Sequence, residues 1–433
     1  MNEQSTRFRL ISETSDGLGF AVRLKWEGYD VSAWIRSADA KAVGDRLITK
    51  VGDIDDLVRD ADPERDVFVF DTSGNGLIAD ALRERGLAVI GGSVLMDRLE
   101  RDREYGYEVM KECKIDVPHT ESFTSFADGI EFVEQHPDVR WVYKPSKQLG
   151  DLSPSHVSYD SDDLIQMLTN IEMDVDIADP QFELQAFRKG IAMSTELWFQ
   201  NGEFIAPLTN HTLERKELMN DDIGPSGGCL GNVVWLCDGC PVCSVAKRLV
   251  PWCERNRYHG MLDLNVIVAE DSVYGLEFTP RCGYDATPTF LWELVKGGLG
   301  GFLADISRGN LRDLDLRRET FAGAVRITIP PWPTEKYTAE ENVPIRGLGK
   351  PKDWQRNTYL YNVKADQDGE LVTGGAWGIL LLLTHNAQTI RGALRPPTER
   401  CKQLKIKNKQ YRTDLADRFL DDVEKLEAVG AIY

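Results

Sequence analysis

The sequence predicts a mixed α/β and α+β chain in three compact pieces, and three observations point there. Residues 1–93 alternate short apolar strands with helix-like segments, which implies a parallel sheet. Residues 94–320 open with a charged helical stretch and continue as strand-like runs joined by tight turns. Residues 321–433 mix apolar strands with one closing amphipathic helix. A length of 433 residues exceeds one ordinary hydrophobic core, so several domains are expected.

In the first piece FRLIS is a strand, Glu13–Gly19 a loop, and FAVRLKWEG a helix stopped at Gly28. YDVSAWI and DVFVFD are further strands, and the second runs into the turn Thr72-Ser73-Gly74-Asn75-Gly76. LIADALRERG is a helix stopped at Gly86, and LAVIGGS returns as a strand. Sheets of this kind bind ligands where strands end and helices begin. In the second piece residues 94–114 form one charged helix, and Pro118 closes the connection. WVYKPS is a strand carrying Lys144 at its end, before a polar loop with Gly150, Asp151, Ser153 and Pro154. QFELQAF and AMSTELWFQNGEFIAP are antiparallel strands, with a hairpin at Asn201-Gly202. Residues 214–232 read as a glycine-rich loop. SVAKRLVPWCERNRYHG is helical, kinked or restarted at Pro251. In the third piece GAVRITIPP, NTYLYNVKA and ELVTGGAWGILLLLT are strands, and DLADRFLDDVEKLEAVG is the last helix.

Hydrophobic content of 42% and charged content of 28% suit a soluble globular protein. The net charge of −19 opposes extended contact with a phosphate backbone, so direct DNA binding is not expected. No apolar run approaches a membrane span. MNEQSTRFRLISE lacks the basic start and apolar core of a secretion signal, so a cytoplasmic location is expected.

Two segments carry the clearest chemistry. Residues 259–287 contain two adjacent strands with Asp263 in one, Glu277 in the other and Arg281 just beyond. Acids within apolar strands are costly to bury unless paired. Two facing carboxylates and an arginine suit Mg²⁺ bridging nucleotide phosphates. The plain alternative is a hairpin with two rim acids, one of them paired to Arg281. The second segment is CDGCPVC, which spaces Cys237, Cys240 and Cys243 as C-x2-C-x2-C, with Cys253 and His259 further on. That spacing resembles a zinc or iron–sulfur ligand run. No second C-x2-C pair exists, so reduced thiols are expected and zinc is the alternative.

Taken in order, the segments resemble the ATP-grasp superfamily and, within it, the phosphoribosylamine–glycine ligases. The resemblance rests on IGGSVLMDRLERDREYGYEVMKECKIDVPHTESF, WVYKPS, FELQAFRKG, KELMNDDIGPSGGCLG, HGMLDLNVIVAEDSVYGLEF and ELVTGGAWGILLLLTHNAQTI, and spans nearly the whole chain. It implies a Rossmann-like domain at 1–93, an ATP-grasp domain at 94–320, and a small α+β domain at 321–433 packing on the active site. It implies a ligase that phosphorylates a carboxylate with ATP and passes the acyl phosphate to an amine, releasing ADP. ATP with Mg²⁺ or Mn²⁺ would be the cofactors. A small amino acid, glycine above all, and an amine acceptor would be the partners of a monomer or homodimer. By the resemblance Arg103 and Lys144 contact phosphates, while Gln185, Ala186 and Phe187 form the adenine hinge. Glu196 meets the ribose, Asp263, Glu277 and Thr279 hold metal, and Arg281, Lys216 and Asp222 serve catalysis.

The chain also departs from the family. Arg103 replaces a lysine, Gln185-Ala186 replaces a glutamate pair, Thr279 replaces an asparagine, and Glu217 stands where an arginine is expected. Larger departures fall on the acceptor side. Asp71–Gly76 replaces a Gly-Pro-Glu loop for the phosphoribosyl group, Ser15–Gly19 lacks an Arg-Glu-His, and Arg281–Ala286 differs from the family's acidic run. The expectation is therefore a glycine-ligase-type enzyme whose amine is not phosphoribosylamine. A true phosphoribosylamine–glycine ligase of purine synthesis and a non-catalytic nucleotide-binding scaffold are the alternatives.

Overall fold

The computed structural model describes residues 6–145, 155–174, 180–237, 239–282, 285–310, 314–334 and 336–432. The loop with Gly150, Asp151, Ser153 and Pro154 lies outside the described residues, as do Lys147, Gly283 and Tyr284.

The first piece folds on a five-stranded parallel sheet. Its order is Thr49–Lys50, Asp30–Ile35, Arg7–Ser12, Asp66–Phe70, Ala88–Ile90. All five positions of Asp66–Phe70 are buried, which is why Val67–Phe70 read as an unbroken apolar run. The strand order reverses between Arg7–Ser12 and Asp66–Phe70, so a crevice opens past Ser12 and Asp71. Helices Leu18–Trp26 and Gly76–Glu84 begin just beyond it.

The single charged helix expected over 94–114 is two helices, Val94–Arg101 and Arg103–Glu112. Asp102 breaks it with an extended backbone (φ −109°, ψ 90°), and its side chain accepts from Tyr105 N. A capping aspartate ends one helix and starts the next, and a run so rich in charge conceals the cap.

Two sheets follow. A four-stranded sheet orders Thr120–Phe123, Phe182–Ala186, Trp141–Pro145 and His156–Val157. With helices Phe126–Gln135 and Ser161–Asp174 it closes a core of its own around Val133, Trp141, Tyr143, Leu168 and Phe182. A nine-stranded sheet orders Val273–Thr279, Gly260–Val268, Ile191–Gln200, Asn210–Met219, Ile223–Leu236, Phe321–Thr328, Ile379–Ala387 and Thr358–Leu360, with Glu203–Phe204 beside Ile191–Gln200. Antiparallel pairing of Gly231 with Val325 carries this sheet past residue 320.

Three further expectations are corrected. Residues 214–232 are the arms of a hairpin, not a loop, turning at Asn220–Asp222 where Asp221 and Asp222 take φ of 64° and 55°. ELVTGGAWGILLLLT divides into Leu371–Gly374 and Ile379–Ala387, which belong to different sheets. Helix Ile390–Gln403 is absent from the sequence reading because Pro396 and Pro397 sit inside it, where proline normally breaks a helix. Among the described residues no helix is long and apolar enough to cross a membrane.

Candidate active site

Strand alternation places a row of polar side chains on one face of the nine-stranded sheet. Glu277 lies opposite Asn265, Thr279 opposite Asp263, and Asp263 opposite Glu196. Directly paired residues of antiparallel strands point to the same face. Asn265 Nδ2 donates to Thr279 Oγ1 at 3.1 Å.

Glu277 is the electrostatic centre. Burial among protein atoms raises its pKa, but Lys216, Lys144, Arg103 and Arg281 together bring it below the ordinary carboxylate value. These cations come from four separate segments. Lys144 ends its strand opposite Glu183, and burial lowers its pKa, with Arg103 adding to that. Lys216 projects from the Asn210–Met219 strand; burial opposes its charge, but Glu277 and Glu214 raise its pKa overall. Arg103 Nη1 donates to Pro145 O at 2.6 Å. Arg281 Nε donates to Glu100 Oε1 at 2.8 Å. Glu100, Arg103, Tyr107, Glu277, Thr279 and Arg281 line a cavity of about 270 Å³. A wider surface hollow of about 710 Å³, with Arg23, Trp292 and His385 in its wall, contains none of these residues.

The donor set beside Glu277 fits a hard divalent cation. Asp263 Oδ1 is buried with no hydrogen-bond partner among the described residues. Burial, with Glu196 and Glu214 nearby, pushes the Asp263 carboxyl well above its usual range. Burial also raises the Glu214 carboxyl, in spite of Lys216. Carboxylate, amide and hydroxyl oxygens suit Mg²⁺ or Mn²⁺.

Of the residues predicted for the site, Arg103, Lys144, Lys216, Asp263, Glu277, Thr279 and Arg281 come together. Glu196, expected to meet a ribose, has its carboxylate engaged within the protein. It is 4% exposed and accepts from Trp198 Nε1 (2.8 Å), Asn210 Nδ2 (3.1 Å) and Thr287 Oγ1 (3.1 Å), tying two strands to helix Ala286–Glu293. Asp222 is spent on ion pairs with Arg412 (2.8 Å) and Arg418 (3.5 Å) of the C-terminal segment. The adenine hinge is also altered. Ala186 N donates to His119 O and Phe187 N to Arg140 O, both at 2.8 Å. The Gln185 side chain is buried and donates to Tyr107 OH and Thr120 Oγ1. Those two backbone N–H groups therefore have no hydrogen left for an adenine edge.

Sequence reasoning missed Asn265, Glu183 and Glu214. Asn265 was within reach, since it lies two residues beyond Asp263 on one strand and so shares its face. Glu214 was hidden by the loop reading of its segment.

The crevice of the first sheet is lined by acids. Ser12 Oγ and Gly17 N donate to Asp71 Oδ2 at 2.5 and 2.6 Å. Burial and the neighbouring Asp16 push the Asp71 carboxyl up to about 7. Gly74 N and Gly76 N donate to the two oxygens of Asp97 at 2.6 and 2.8 Å. Arg281 acts electrostatically on Asp16 and Asp71 as well as on Glu277, so it joins this crevice to the cation cluster.

No protein-family model matches the chain. A phosphoribosylamine–glycine ligase of Halalkalibacterium halodurans is 25% identical over 354 residues, 79% of each chain. The crystal structure of the Thermotoga maritima phosphoribosylamine–glycine ligase matches with a TM-score of 0.70 at 18% identity, covering 94% of this chain and 100% of that one. The biotin carboxylase domain of Hydrogenobacter thermophilus 2-oxoglutarate carboxylase, in complex with MgADP, ADP and bicarbonate, matches with a TM-score of 0.64 at 13% identity, covering 99% and 100%. The chain thus has the ATP-grasp fold, is an enzyme of the carbon–nitrogen-bond-forming ligase class, and resembles the phosphoribosylamine–glycine ligases.

Proposed function

We propose that this enzyme, acting in the cytoplasm, joins a small amino acid to an amine through an acyl phosphate made from ATP, with glycine the first candidate. The observation that carries the reading is that Lys216, Lys144, Arg103 and Arg281 all act electrostatically on the buried Glu277, with Arg103, Glu277 and Arg281 lining one cavity. Four cations about one carboxylate match the charge of a nucleotide's phosphates with its metal. Lys144, Lys216 and Arg103 hold the phosphates. Glu277, Asp263 and Thr279, with Glu214 and Asn265 beside them, would hold Mg²⁺ or Mn²⁺, which when bound screens phosphate charge. Arg281 stabilises negative charge as phosphate passes to the carboxylate. The amine nitrogen then attacks the acyl carbon, the C–O bond to phosphate breaks, and the amine loses a proton.

The amine acceptor is a molecule other than phosphoribosylamine. A phosphate would need backbone amides or basic side chains at the crevice. The amides of Gly74 and Gly76 are taken by Asp97, and that of Gly17 by Asp71. Asp71, once ionised, repels phosphate and attracts a hydroxyl or an amine. The coverage of the Thermotoga ligase favours a second reading, a true phosphoribosylamine–glycine ligase. The test is ADP release by purified protein with Mg²⁺, ATP and each amino acid, with a panel of amines and separately with phosphoribosylamine. Turnover with glycine and a phosphate-free amine supports the first reading. Efficient glycinamide ribonucleotide formation supports the second, and no ADP release under any condition overturns both.

A further inference from the structure

The cysteine run meets a partner that the sequence does not point to. His211 lies on the Asn210–Met219 strand, paired with Thr195 across the sheet. Asn210 and Thr212 share the face of Glu196 and Asp263, so His211 points to the opposite side, away from the ATP cleft. There its Nε2 stands 3.1 Å from Cys240 Sγ, and Cys240 Sγ stands 3.6 Å from Cys237 Sγ. One ligand atom from each of the three residues falls within 4.8 Å of the other two. Cys243 is buried one helical turn on, its N–H donates to Cys240 Sγ at 3.3 Å, and its sulfur is not part of that 4.8 Å group.

We propose that His211 Nε2 and the sulfurs of Cys237 and Cys240 hold one zinc-class divalent ion, and that Cys243 Sγ turns in as the fourth tetrahedral ligand when the ion binds. Ligands 2.0–2.3 Å from a common centre stand roughly 3.3–3.8 Å apart in a tetrahedron, and the Cys237–Cys240 separation falls in that range, with the His211–Cys240 separation just below it. The imidazole is also set for the task. Thr195 Oγ1 lies 2.8 Å from His211 Nδ1, and in the tautomer with the proton on Nδ1 the hydroxyl accepts it and the Nε2 lone pair faces the sulfurs. Three soft ligands and an imidazole select zinc or cobalt over magnesium, so this site and the ATP cleft would take different metals. All eight cysteines are free thiols, and none of these four ligands is used by the proposed reaction. The site would be a clip. Cys237 N donates to Thr209 O at 3.0 Å and Val242 N to Ala431 O at 3.3 Å, so metal would lock this segment to the sheet and to the C-terminal end.

The test is metal analysis of the full chain purified without chelator. About one zinc per chain is expected, falling below roughly a tenth in Cys240→Ser/Cys243→Ser and in His211→Ala. Because a variant could fail to fold, the unmutated protein is also stripped with a chelator and titrated with cobalt. A visible tetrahedral cobalt–thiolate spectrum that saturates at about one equivalent supports the site. Its absence, a Cys237–Cys240 disulfide in the purified chain, or full zinc retention by a folded His211→Ala variant overturns it.

Discussion

Arg326 Nη2 stands 2.7 Å from Asp285 Oδ1, and the two residues are 2% and 1% exposed. The pair ties the Phe321–Thr328 strand to the start of helix Ala286–Glu293, just after Arg281. Tyr361 OH donates to the same oxygen. Asp285 is therefore held in place from the C-terminal piece of the chain. Arg326→Met would leave this carboxylate buried without its cation and should cost about 3–5 kcal/mol of stability in urea unfolding. A loss under about 1 kcal/mol would show that the pair does not anchor the segment.

Glu277→Gln keeps the shape of the side chain and removes its charge. ADP formation should fall by about a hundredfold or more, with little change in the melting curve. Turnover at the unmutated rate would remove Glu277 from the site.

Lys144→Ala should raise the KM for ATP by roughly 10- to 100-fold, the value of one charge-assisted contact. Lys296→Ala is the control, since Lys296 is exposed and pairs with Asp315. Equal, small effects of the two changes would count against a phosphate role for Lys144.

Glu196→Ala separates two roles for that carboxylate. It removes the acceptor for Trp198, Asn210 and Thr287 and should destabilise the fold by about 2–4 kcal/mol. The KM for ATP should stay within about twofold of the original. A large rise in KM with unchanged stability would return Glu196 to the ribose.

Asp71 makes stability depend on pH. Burial and Asp16 push its carboxyl in the fold up to about 7, from the 3.8 of an ordinary aspartate. Between those values the folded state binds the extra proton. Stability therefore falls as pH rises through this window, and the loss is complete above the folded value. Asp71→Asn retains an oxygen for Ser12 and Gly17 without the charge. It should match the original near about pH 4 and melt higher near about pH 8, by a few kcal/mol at most on the order-of-magnitude scale. A lower melting point for the variant at the higher pH would refute this.

Much of this was legible from local pattern. The strands of the first sheet announce themselves because they are buried and bounded by turn residues. Asp263, Glu277, Arg281 and Lys144 stand out as charges at the ends or within apolar strands, where solvation alone does not explain them. What stayed hidden depends on partners remote in sequence. Nothing local says that Asp97 reaches the amides of Gly74 and Gly76, or that Arg412 claims Asp222. The approach of His211 to Cys240 depends on which face of a strand it occupies, and the greater part of that strand, residues 214–219, reads as loop. Asp102 illustrates the converse difficulty, because one capping side chain outweighs a long helix-favouring run.

The four-stranded sheet has its own core, separate from the one beneath the nine-stranded sheet. Lys144 belongs to the first body, and Glu277 and Lys216 to the second. The attraction between Lys144 and Glu277 thus crosses a seam, and the spacing of the groups proposed to hold phosphate depends on how two separately cored blocks sit. A nucleotide lying in that seam would act as mortar. Its occupancy should be readable from far outside the site, as slower amide exchange along both blocks at once.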